Sequence, residues 1–141
     1  MKRMGSAIWK GDLKTGTGIT STESGVLKDA QYGFATRFED GPGTNPEELI
    51  GAAHASCFSM ALSLILSEHG LVADQIATTA TVTLDKVDGG FAVTKIHLDL
   101  VADIPGASDD TFMAAAEAAK AGCPISKLLN AEITLSAKLN S

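Results

Sequence analysis

The sequence has no dense run of Lys or Arg, and its formal net charge is −6. An acidic surface repels phosphate backbones, so nucleic acid is not an expected partner. Cysteine is scarce: Cys57 and Cys123 are the only two in 141 residues. That is too few for the disulfide framework of a small secreted domain. The N-terminus opens on Lys2 and Arg3 without an apolar run behind them, which argues against a secretory signal. The expected compartment is the cytoplasm, where thiols stay reduced and a cysteine pair more often serves catalysis or redox chemistry. Arginine is equally scarce, with Arg3 at the terminus and Arg37 the only other.

What is present has an ordinary globular balance, 45% hydrophobic and 20% charged. The length suits one domain, 1–141, with a core of its own. Leu49 to Leu66 contains no Asp, Glu, Lys or Arg, close to the length that crosses a bilayer. It also carries Gly51, His54, Ser56, Cys57, Ser59 and Ser63. Glutamates flank it, and no basic residue marks a cytoplasmic side. The reading is a helix inside a soluble protein, with no membrane partner. A helix apolar all round must be covered on every side.

That helix has a clear start. Thr44 and Asn45 suit an N-cap, Pro46 suits the first turn, and Glu47 and Glu48 complement the helix dipole. It runs to about Glu68, with Gly70 as its stop. Upstream, alternation around Ala7 to Leu13 and a Thr/Ser-rich stretch broken by glycines predict strands and turns. Tyr32 to Phe38 is a candidate short strand, and Gly41-Pro42-Gly43 a loop. Downstream, Ile76 to Leu84 and Ala92 to Leu100 alternate across Asp88-Gly89-Gly90 as a hairpin. Ser108 caps an alanine-rich helix ending at Gly122, Pro124 to Leu129 form a short helix, and Ile133 to Leu139 a last strand. The sum is an α+β protein with mostly antiparallel pairing. Its central helix is covered either by two sheets of the same chain or by a second copy.

Cys57 lies midway along the apolar helix, where a free cysteine is ordinarily a small packed hydrophobe. Cys123 precedes a proline at a helix boundary, where outward backbone N–H groups favour a thiolate. It equally suits a plain N-cap. A thiol is only about a few per cent ionised at neutral pH, so a reactive cysteine needs a cation or a dipole. Arg37 stands beside the Gly-Pro-Gly loop among Tyr32, Phe34 and Phe38. If partly buried it needs a carboxylate, and Glu47 and Glu48 are the nearest candidates. Both also suit simple helix capping. His54 shares a helix face with Cys57 and offers a base or half of a metal site. His69 and His97 complete no ligand spacing, so no metal is expected. There is no CxxC motif, and only the fold can bring the two cysteines together.

Gly43-Thr-Asn-Pro-Glu-Glu-Leu-Ile-Gly-Ala-Ala-His-Ala-Ser-Cys-Phe-Ser-Met-Ala-Leu62 resembles the signature of the osmotically inducible protein C (OsmC) family, sibling of the organic hydroperoxide resistance proteins (Ohr). Ser21 to Leu27, Tyr32-Gly-Phe34, Thr36-Arg-Phe38, Leu84 to Val87 and Ala119-Lys-Ala-Gly-Cys-Pro124 resemble the OsmC branch, so the likeness spans nearly the whole chain. The resemblance implies an intertwined homodimer, its sheets wrapping central helices, with active sites at the subunit interface. It implies that Cys57 is the peroxidatic cysteine and Cys123 the resolving one, with Arg37 and Glu47 activating Cys57. Glu48 then keeps its capping role. The implied activity is reduction of hydroperoxides in oxidative or osmotic stress defence, with no cofactor. A small thiol or a lipoyl-type dithiol is the implied reductant.

The residues alone favour Cys123 as the nucleophile. The resemblance places the first attack on Cys57, and the expectation follows it, because Arg37 outweighs a single helix end. An apolar pocket built from Tyr32, Phe34, Phe38 or Met60 favours organic peroxides over hydrogen peroxide. Two rivals share these residues: a dithiol redox sensor without significant turnover, and a small-ligand binding module whose cysteines are inert.

Overall fold

A computed structural model describes residues Met1–Asn140, which divide into two compact units, 1–49 and 50 onward. In the first unit, β1 (Gly5–Lys10), β2 (Thr17–Thr22) and β3 (Ala30–Tyr32) form an antiparallel sheet in that order. β1 ends where Gly11, at φ 96°, turns the chain and Asp12 Oδ1 accepts the N–H groups of Lys14 and Thr15. The strand expected across 32–38 stops at Tyr32. Phe34–Phe38 is instead a single helical turn, α1. The Gly33 N–H donates to Thr36 Oγ1 (2.8 Å) and the Thr36 hydroxyl donates back to the Gly33 carbonyl (3.0 Å). This reciprocal cap outweighs the alternating aromatics. Phe34 and Phe38 stand four residues apart with ring centroids at 5.0 Å, a pairing that only the helical period allows.

α2 (Pro46–Glu68) starts as its sequence predicts. Asn45 Oδ1 accepts the Glu48 N–H (2.8 Å), while Asn45 Nδ2 donates to the Thr36 carbonyl (3.1 Å). Gly43, at φ 129°, sits where a Cβ would meet the Gln31 carbonyl oxygen at 2.6 Å. A glycine is required there for the chain to pass so close to β3 and enter the helix.

The second unit holds the rest of α2, β4 (Gln75–Val87), β5 (Gly90–Asp103), α3 (Asp109–Gly122), α4 (Pro124–Leu128) and β6 (Glu132–Asn140). β4 and β5 form the expected hairpin around Gly89, and the sheet order is β4-β5-β6. β6 lies parallel to β5, the one parallel pairing among the described residues. The two helices between these strands return the chain to the end where β5 began, the ordinary βαβ crossover.

The core of this unit joins three stripes. His54, Phe58, Leu62 and Leu66 recur every four residues on α2 and are fully buried. Phe58, Leu62 and Leu66 pack with Ile96, Leu98 and Leu100 of β5 and with Phe112, Ala116, Ala119 and Cys123 at α3. Gly51 fits under the sheet, because a Cβ there would sit 3.1 Å from the Ala80 carbonyl oxygen of β4. By length and composition α2 is also apolar enough to cross a bilayer. In this chain only one stripe of it is buried, while Met60 and Leu64 are 75% and 63% exposed.

Truncating the buried stripe leaves a cavity that the surrounding helix and sheet only partly fill. Leu62→Ala is expected to lower unfolding free energy by about 2–5 kcal/mol, measured by urea denaturation.

Candidate active site

Four residues single themselves out in the sequence, and the structure groups them as two pairs. Arg37 and Glu47 belong to the first unit, Cys57 and Cys123 to the second.

Arg37 leaves α1 and meets Glu47 in the first turn of α2. Its Nε donates to Glu47 Oε1 and Oε2 at 3.1 and 3.3 Å, and its Nη2 donates to Oε1 at 2.8 Å. Two guanidinium nitrogens on one carboxylate fix the plane of the cation, which a single contact would leave free to rotate. Glu47 is mostly covered, at 12% side-chain exposure, while Arg37 keeps 39%. The guanidinium also lies 5.5 Å from the Phe38 ring centroid, a cation–π arrangement. Glu48 is engaged elsewhere, accepting a hydrogen bond from the Thr44 hydroxyl. Beside Arg37 opens a cavity of about 280 Å³ lined by Trp9, Leu13, Tyr32, Phe34 and Phe38. Trp9 and Leu13 were not singled out in the sequence. Their place in β1 and the following turn is visible only once the sheet is formed. Met60 is exposed on α2.

The cysteines, distant in sequence, meet in the second unit. Cys123 is buried at the junction of α3 and α4, closing one helix and capping the next. Its backbone is extended (φ −65°, ψ 139°), as a residue before proline prefers. Its Sγ accepts the Ser126 N–H at 3.3 Å. Cys57, half-buried on α2, has the Cys123 side chain within hydrogen-bonding reach and accepts the backbone N–H of Ile125. The start of α4 therefore serves both sulfurs, Ile125 N–H toward Cys57 and Ser126 N–H toward Cys123. From sequence that dipole was credited to Cys123 alone. The Cys57 thiol is pushed up from its ordinary pKa, chiefly by burial and further by Cys123, while the Ile125 N–H pulls it down. The two thiols are free and lie near each other.

His54 is buried three residues before Cys57, with Nε2 at 2.7 Å from Ser126 Oγ. Burial pulls its pKa down, which keeps the imidazole neutral. His97 is engaged by Thr134 and Asp99, in a different part of the sheet. Among the described residues no three His, Cys, Asp or Glu side chains gather as a metal site. Ser126 escaped the sequence reading: it stands at the third position of α4, where any residue's N–H can meet the N-cap side chain, and nothing along the chain ties it to His54.

With this geometry in place, comparison with known proteins decides the family. The model of the family described as OsmC-like protein matches residues 39–138. The chain belongs to the OsmC-like family. Among relatives of this OsmC-like protein, Peroxiredoxin OsmC of Escherichia coli K12 is 59% identical over 139 residues, covering 99% of this chain and 97% of that protein. The organic hydroperoxide resistance protein OhrB of Bacillus subtilis is 31% identical over 123 residues, covering 86% and 88%. The crystal structure of B. subtilis OhrB superposes with a TM-score of 0.71 at 27% identity, over 96% of this chain and 98% of that one. An OsmC-like protein from Mycoplasma pneumoniae reaches a TM-score of 0.76 at 15% identity, which speaks for the shared α+β fold.

The buried neutral His54 has a consequence for stability. In the unfolded chain it takes a proton near its ordinary pKa of 6.5, whereas the folded chain resists protonation until lower pH. The unfolded state thus binds more protons just below that value, and stability falls as pH drops through it. Urea midpoints followed from about pH 8 to about pH 5 are expected to fall in the wild type and to fall less in His54→Gln.

Proposed function

We propose that this OsmC-like protein is a cytoplasmic thiol-dependent peroxidase that reduces organic hydroperoxides, and hydrogen peroxide more weakly. Cys57 is the attacking residue and Cys123 the resolving one. The observation that carries the reading is the meeting of the two thiols at the start of α4. The names of its relatives, peroxiredoxin and organic hydroperoxide resistance protein, point the same way.

In this mechanism the Cys57 thiolate sulfur bonds to the terminal peroxide oxygen. The O–O bond breaks, its electron pair leaves with the alkoxide, and one proton converts that to alcohol. Cys57 becomes a sulfenic acid. Cys123 sulfur then displaces the hydroxyl, forming the disulfide and water, and so protects Cys57 from further oxidation. A small thiol or lipoyl-type dithiol resets the pair by exchange, becoming oxidised as the two cysteines regain their protons. Burial, and further Cys123, push the Cys57 thiol up, and a positive charge nearby would favour its thiolate. Arg37 is assigned that task, with Glu47 fixing the guanidinium plane, and it also stabilises charge developing on the leaving oxygen. The apolar cavity beside Arg37 suits an alkyl or aryl group, which favours organic substrates.

The active unit is assigned as a homodimer of single-domain chains, 1–141, with its sites at the subunit interface. The exposed Met60–Leu64 side of α2 supports this, since a second copy would cover it. A dithiol sensor is the second reading, and the raised Cys57 thiol favours it because it slows attack.

Steady-state consumption of cumene hydroperoxide with excess dithiol separates these. Rapid turnover is expected in the wild type and background consumption in Cys57→Ser, while Arg37→Ala is expected to lose about 100-fold or more in kcat/KM. Without reductant, Cys123→Ser is expected to consume one equivalent of peroxide and stop. A wild type that closes its disulfide but does not turn over indicates the sensor, and turnover that persists in Cys57→Ser overturns the assignment of cysteines. Light scattering is expected to give twice the 14.5 kDa mass of one chain, and a monomer at micromolar concentration would refute the dimer.

A further inference from the structure

The peroxidase reading leaves a pair of buried polar side chains unused. Ser126 Oγ lies 3.2 Å from Cys123 Sγ, which donates to it, and 2.7 Å from His54 Nε2. The Ser126 N–H meanwhile donates to the same Cys123 sulfur at 3.3 Å. All three residues are buried, Cys123 and His54 completely and Ser126 at 7% exposure. The other imidazole nitrogen, Nδ1, is buried with no hydrogen-bond partner among the described residues. A histidine with a bare ring nitrogen in the core costs free energy, and a phenylalanine or leucine would fill the same volume without that cost. His54 thus supplies a hydrogen bond to Ser126 that an apolar side chain of the same size would not.

The three groups share one hydrogen-bond direction. Where the Cys123 S–H donates to Ser126 Oγ, the single Ser126 hydroxyl proton is free to point at His54 Nε2, whose lone pair receives it. Burial keeps that imidazole neutral and so able to accept. We infer that Ser126 and His54 form a proton relay for Cys123, taking its proton as its sulfur attacks the oxidised Cys57. Ser126 touches the reacting sulfur; His54 acts through Ser126 as a positioning residue and proton acceptor.

The relay rests on the peroxidase reading above and deepens its second step. In that step the Cys123–Cys57 S–S bond forms and the Cys57 S–O bond breaks, its electron pair leaving with hydroxide. The Cys123 proton passes to Ser126 Oγ while the Ser126 proton passes to His54 Nε2. Hydroxide takes one proton to become water and the imidazolium gives one up, so the sum is sulfenic acid plus thiol giving disulfide plus water. No oxidant enters beyond the peroxide already consumed. During reduction the same path runs backward and reprotonates the departing Cys123 thiolate.

The test separates the two chemical steps in reductant-free protein given one equivalent of cumene hydroperoxide. Oxidation of Cys57 is followed by dimedone trapping, and disulfide closure by mass after an acid quench. Ser126→Ala is expected to slow closure about tenfold or more beyond any effect on the first oxidation, so that dimedone captures Cys57. Ser126→Thr, which keeps the hydroxyl, is expected to restore closure to within about threefold, and His54→Gln to slow closure as Ser126→Ala does. A structural role would slow both steps together. Closure at the wild-type rate in folded Ser126→Ala overturns the relay. If the wild type does not react with peroxide, the peroxidase reading fails by itself. Diamide then activates Cys57 in its place, and equal closure rates in wild type and Ser126→Ala overturn the relay on that route too.

Discussion

The break between α3 and α4 at Cys123-Pro124 is the constraint on which the surroundings of both cysteines depend. Proline has no N–H to offer α3's last turn and holds its own φ near the helical value, so one helix ends and another begins across the single residue Cys123. The next two N–H groups, on Ile125 and Ser126, are then without partners in their own helix. Each finds a sulfur, Cys57 for the first and Cys123 for the second. An uninterrupted helix through this point would turn both N–H groups back onto its own carbonyls and leave neither cysteine with a donor.

A dipole that weak does not settle the protonation of Cys57, because burial acts in the opposite sense and is the larger effect. The molecule thus holds a site in which two sulfurs meet under a modest polar influence, and a separate cation fixed in orientation by a carboxylate. An apolar cavity borders the cation, and an apolar group seated there would exclude water from it and strengthen its field.

Much of this fold was legible in the sequence, for local reasons. Asn45-Pro46-Glu47-Glu48 announces the start of α2, Ser108 the start of α3, and Asp88-Gly89-Gly90 the hairpin, because caps and turns are decided by neighbours along the chain. The segment after Tyr32 was misread, since alternating aromatics imitate a strand and the cap between Thr36 and Gly33 carries no hydrophobic signal. The parallel placement of β6 was equally hidden, because pairing direction follows from how two helices return the chain. Among the site residues, Arg37, Glu47, Cys57 and Cys123 stood out by chemistry or by resemblance. Ser126 did not, because a serine at the third position of a short helix looks like any other. Its meaning comes from a histidine far upstream, a relation that only tertiary structure creates.

Gly51 has a mechanical consequence. The absence of a side chain there lets α2 seat its backbone against the Ala80 carbonyl, and an added Cβ would sit 3.1 Å from that oxygen, so helix and strand would have to part by a few tenths of an ångström. Cys57 lies fewer than two turns further along the same rigid rod. Rotation of that rod by one residue's worth of arc, about 100°, would swing the thiol away from the Ile125 amide and from Cys123. The depth at which the helix seats on the sheet, and with it the reach of the sulfur, thus depends on a missing methyl group on the face turned toward β4.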